Sequence, residues 1–100
     1  MTREAIHPGE FLADELEEIA MTRTELARQI DVPANRISQL IHGKRDLTAD
    51  TALLLGRFFG TGPELWLNLQ KTYELDKART ELGIKIQKIN PWKPHEEVRI

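Results

Sequence analysis

Between Met21 and Arg45 the sequence MTRTELARQIDVPANRISQLIHGKR fits two short helices joined by a sharp turn. Thr22 followed three residues later by Glu25 forms a capping box, so the first helix is expected to begin near Arg23 and to bury Leu26, Ala27 and Ile30. Asp31, Val32 and Pro33 end it. Proline is excluded from helix interiors but tolerated at helix starts, so a second helix is expected from about Ala34 to His42, stopping at Gly43.

On this second helix Ile37, Leu40 and Ile41 make one apolar face, against which the first helix must pack. At 100° per residue, Asn35, Gln39 and His42 lie nearly opposite, with Ala34, Arg36 and Ser38 on the flanks. That outer face holds no carboxylate. Asn and Gln pair bidentately with adenine edges, and Arg pairs with guanine or phosphate. Lys44 and Arg45, just past the helix, are placed to meet backbone phosphates. A merely solvated polar face is the ordinary alternative for an amphipathic helix. The turn and the Gly-Lys-Arg that follows favour double-stranded DNA instead, which makes this a helix-turn-helix motif.

One hundred residues with 40% apolar content make one small domain with a single core. We expect a domain over residues 1–80 and a tail over 81–100. With no cysteine, disulfides and thiolate chemistry are excluded. No apolar run is long enough to span a bilayer, and Met1 to Ala20 lacks the features of a signal peptide, so a cytoplasmic location is expected. The net charge of −2 argues at first against nucleic acid, but it is unevenly spread. Residues 1–20 set one arginine against six carboxylates, a net −5. Residues 21–45 set five cations against two carboxylates, a net +3. Such asymmetry points to separate partners for separate surfaces.

His7-Pro8-Gly9-Glu10 opens the first helix of the chain, whose core stripe is expected to be Leu12, Leu16 and Ile19. Phe11 sits beside that stripe, and Glu10, Asp14, Glu17 and Glu18 cover the remaining surface. After the motif, Thr48 caps a helix that buries Ala52, Leu55, Gly56 and Phe59, with Gly56 allowing close packing and Leu54 and Phe58 off the stripe as a candidate partner surface. Gly62-Pro63-Glu64 starts another helix, with Trp66, Leu69 and Tyr73 on one side and Leu65 and Leu67 outside it. A helix apolar on more than one side serves both a core and a subunit interface. From Gly83 the order Ile84, Lys85, Ile86, Gln87 alternates as a strand does, and Pro91, Trp92 and Pro94 then break regularity.

The segments HPGEFL, LIHGKRDLTADTA and GTGPELWLNLQKTYEL, together with the helix-turn-helix, resemble the HigA-type, VapI-like antitoxins of bacterial toxin-antitoxin modules, within the lambda-repressor-like helix-turn-helix class. The resemblance spans about residues 6–76. It implies an all-α, five-helix domain with a short irregular or strand-like tail. It also implies a homodimer that binds an operator overlapping its own promoter and neutralises a HigB-like ribonuclease toxin. Ala34, Asn35 and Gln39 match base-reading positions, and Arg23, Arg36, Lys44 and Arg45 match positions near phosphates; Ser38 shares their face. Asp31 stands where a turn glycine is common, Pro33 replaces a capping Ser or Thr, and Leu54 occupies a slot often held by Arg.

A ribonuclease must hold RNA, so a toxin of this kind is expected to be basic. Glu10, Asp14, Glu17 and Glu18 are its expected complement, with Phe11 as an apolar anchor. An enzyme reading finds little support: Ser38 is the single serine, and His7, His42 and His95 are scattered, without metal-ligand spacing. No cofactor is expected. The competing function is a stand-alone DNA-binding regulator with no toxin.

Overall fold

The computed structural model describes residues 6–93. Five helices follow one another: α1 (Pro8–Glu18), α2 (Arg23–Gln29), α3 (Ala34–Ile41), α4 (Ala49–Phe59) and α5 (Pro63–Gln87). The described residues contain no strand. Helix α2 packs on α3, α1 packs against α3 and α5, and α4 lies along α5.

Local chemistry accounts for most of the boundaries. The Thr22 hydroxyl accepts the Glu25 N–H at 3.1 Å and caps α2. The Glu25 carboxylate does not complete the reciprocal bond expected of the box; it takes Arg28 and Gln29 instead. Asp31 occupies the left-handed region at φ 60° and turns the chain out of α2, as the sequence required. Pro33 precedes α3 without a side-chain cap. Helix α4 ends at Gly60 in the left-handed conformation.

The core is one cluster. Leu12 and Leu16 from α1, Leu26 and Ala27 from α2, Ile37 and Leu40 from α3, Ala52 and Leu55 from α4, and Trp66 from α5 are all buried. Burying each large side chain contributes about 1.5–3 kcal/mol. Gly56 makes the close approach expected of it: a Cβ there would lie 2.4 Å from the Gly62 carbonyl carbon.

Three sequence expectations are corrected. Ile19 is 46% exposed rather than core, because α1 stops at Glu18 and Ala20 adopts φ 56°, swinging Met21 inward in its place. Leu54 and Phe58 pack against the core, and the apolar residue that α4 exposes is Leu53. The alternating segment Ile84–Gln87 is the last turn of α5, not a strand. A lone strand has no ladder partner, whereas Lys77–Leu82 is good helix-forming sequence that carries the helix through Gly83. Residues 88–93 are non-helical, and the tail positions 94–100, with Pro94 and His95, lie outside the described residues. The long axis of 60 Å arises because the distal half of α5 runs past the helical body.

Candidate nucleic-acid interface

Helix α3 is held by its apolar face and offers the opposite one. Ile37 and Leu40 are buried against α2 and α1, while Ala34 and Asn35 are exposed and Ser38 and Gln39 half-buried. Two of these polar side chains are steadied by neighbours. Arg45 donates from Nε to Gln39 Oε1 at 3.0 Å, and Arg23 donates to Ser38 Oγ at 3.4 Å. His42 donates from Nδ1 to the Ser38 carbonyl at 2.8 Å, leaving Nε2 outward. The structure therefore brings Arg23, Ala34, Asn35, Ser38, Gln39 and Arg45 onto one continuous face, with Lys44 exposed in the turn that follows.

Arg36 is placed differently. Its guanidinium lies 3.6 Å from Asp50 at the start of α4. The Thr48 hydroxyl and the Thr51 N–H also bond Asp50, and these contacts, Thr48 first and with Arg36 as a smaller cause, hold its carboxyl below the usual range. Arg36 thus links α3 to α4 from the edge of the outer face.

The turn carrying Lys44 and Arg45 is built from behind. Gly43 reverses direction at φ 71°. The Leu47 N–H donates to the buried Gln70 Oε1 of α5 at 2.8 Å, and Gln70 in turn donates to Glu74 at 2.9 Å. Sequence patterning gave no sign of this clasp, since a Gln between two helical stripes reads as surface. It missed His7 too: the buried imidazole caps α1 by accepting the Gly9 N–H at Nδ1, 2.9 Å away, in a position the Pro8 signal alone had explained.

The acidic residues of α1 divide. Glu10, Asp14, Glu17 and Glu18 are exposed. Phe11 is half-buried, its ring edge-on to Trp66 at 5.3 Å, so the expected anchor is occupied within the fold. Glu17 shares a groove with Met21, Arg23, Thr24, Ser38 and Ile41, so the acidic surface and the α3 face meet along the α1–α2 junction.

Residues 12–66 match the family model described as "Helix-turn-helix". A virulence-associated protein I of Dichelobacter nodosus is 41% identical over 77% of this chain and 72% of its own. An addiction module antidote protein of a HigA family from Coxiella burnetii superposes with TM-score 0.86 at 44% identity, covering 90% of this chain and 100% of that one. The antitoxin HigA of Pseudomonas aeruginosa, solved with the higBA promoter, superposes with TM-score 0.84 at 38% identity over 90% of this chain and all of its own. With its five helices, its α2–turn–α3 motif and its likeness to solved HigA structures over nine-tenths of its length, the chain belongs to the HigA-type antitoxins of the helix-turn-helix family.

Proposed function

We propose that this protein is the antitoxin of a type II toxin-antitoxin module: it binds operator DNA as a homodimer, represses its own promoter and neutralises a basic, HigB-like ribonuclease. The observation that carries the reading is the outer face of α3, a carboxylate-free surface bounded by Arg23, Lys44 and Arg45 on a chain whose residues outside 21–45 together carry a net −5. A relative at 38% identity solved with promoter DNA supports DNA binding as the role. Residues 1–80 form the DNA-binding unit in this reading. Asn35, Gln39, Ala34 and Ser38 read base edges in the major groove, and Arg23, Lys44 and Arg45 hold phosphates. Arg36 reaches a phosphate only by leaving Asp50. Glu10, Asp14, Glu17 and Glu18 receive the toxin, without Phe11. The role is binding rather than catalysis, and the site of action is the cytoplasm; among the described residues no helix is long and apolar enough to cross a membrane.

A second copy is required to read a two-fold operator, and α5 supplies a surface for it. Leu75, Leu82 and Ile86 lie within a narrow arc roughly half a turn from Trp66, on the side facing away from the protein's own core, and each is more than two-fifths exposed.

Fluorescence anisotropy on promoter DNA and on random duplex tests the roles on α3. Asn35→Ala should cost about 1–3 kcal/mol on the promoter site and little on random DNA. Lys44→Ala should weaken both and flatten the salt dependence by about 0.9 in log-log slope. Identical profiles for the two variants would refute this division of labour, and no promoter binding at low salt would refute the DNA reading itself.

A further inference from the structure

His7 is buried at the junction of three elements, 6% exposed, and its two ring nitrogens are in different circumstances. Nδ1 accepts the Gly9 N–H and so carries no proton. The proton of the neutral ring must therefore sit on Nε2, which is buried and has no hydrogen-bond partner among the described residues. The Arg45 backbone lies beside the ring, close enough to favour its charged form, without closing a bond to Nε2. Glu10 of α1 and Asp46 of the turn act on the ring in the same sense as Arg45, and Lys77 of α5 acts against it. Tyr73 of α5 stacks edge-on, ring centroids 4.8 Å apart.

The cap that His7 makes lies directly on the recognition helix. Gly9 sits so close to the end of α3 that a Cβ there would fall 1.9 Å from the Leu40 carbonyl oxygen. The first turn of α1 is thus a backstop for the last turn of α3 and for the Gly43–Asp46 turn that follows it.

Resting on the DNA-binding reading above, we propose that His7 is a positioning residue for the Lys44–Arg45 turn, effective only as the neutral imidazole, so that protonating it releases the backstop and weakens DNA binding. A proton added at Nδ1 sets two donors, the ring N–H and the Gly9 N–H, against each other and the cap is lost. Burial, the largest influence on this group, holds its pKa below the usual 6.5. The sign follows. The neutral ring is favoured by folding, so its contribution is complete above pH 6.5 and is lost as pH falls from 6.5 through the lower folded-state value.

His42 lies on the outer face itself, so it is replaced to make the series report on His7 alone. The test is therefore made in the His42→Gln background, on promoter DNA, between pH 7.5 and 5.5. Affinity of that variant should fall at least threefold across the range. Adding His7→Asn, which keeps a capping side chain but cannot titrate, should leave affinity level across the range and near the pH 7.5 value. Equal pH slopes in the two proteins, or no slope in either, would overturn the proposal. Should His7→Asn fail to fold, or should the protein bind no DNA, NMR of the free wild-type chain decides. The Lys44, Arg45 and Asp46 amide shifts should then move with the midpoint of the His7 ring, and shifts indifferent to that midpoint would overturn it.

Discussion

Ala20 and Asp31 both stand in the left-handed region, at φ 56° and 60°, and they show how unevenly single residues announce their conformation. Asp31 was legible, because an Asp before Val-Pro marks a turn and tolerates positive φ. Ala20 was not. Nothing in Ile19-Ala20-Met21 distinguishes a left-handed alanine from one more helical residue, so the α1 stripe was carried too far, to Ile19. The Met21 N–H bonds back to the Leu16 carbonyl at 2.9 Å, which holds the reversal in place. Left-handed backbone costs a non-glycine residue about 1–2 kcal/mol. Ala20→Gly should therefore stabilise the fold by about 0.5–1 kcal/mol, the strain relieved outweighing the added chain entropy, and Ala20→Val should destabilise it. Urea midpoints for the three proteins check this, and a lower midpoint for the glycine variant would contradict it.

Among the elements, α5 carries the most information beyond its own fold. Its first half packs Trp66 into the core, with Leu69 and Tyr73 half-buried beside it, and its second half moves the apolar stripe to the other side. The sequence showed that this helix must serve two surfaces, since apolar residues fall on more than one side. It did not show where the change occurs, and the four-residue alternation at Ile84 imitated a strand because helix and strand periods are hard to separate over so short a run. If the distal stripe joins two copies, Leu82→Glu with Ile86→Glu should shift the protein to monomer while leaving its helical circular dichroism largely intact. Sedimentation velocity measures this. A dimer that survives both charges would place the subunit contact elsewhere.

For the molecule as a whole, the segmental charge anticipated two surfaces of opposite charge better than it anticipated their arrangement. The +3 segment lies on and around α3 and the acid-rich segment on α1, as counted, yet Glu17 and Arg23 line one groove. Distance in sequence did not translate into distance in space, since the α1–α2 turn folds one against the other. Replacing Asp14, Glu17 and Glu18 together by Ala should slow association with a basic toxin and reduce its salt dependence, single exposed charges being worth too little to see alone. Stopped-flow rates at two salt concentrations test this, and unchanged rates at both would leave α1 a solvated face. DNA affinity of the same variant should stay level or rise slightly, more so through Glu17 than through Asp14.

The Leu47 N–H, held at 2.8 Å by the buried Gln70 amide, lies in the connection between α3 and α4, where backbone protons ordinarily exchange with solvent almost freely. Its exchange is possible only when α5 lifts from the body, so Leu47 should be protected to nearly the same degree as the core of α4, while Arg45 and Asp46 exchange quickly. Deuterium uptake resolved by residue would then make this one amide a clock for the undocking of the last helix, readable against the fast amides of Arg45 and Asp46 just before it.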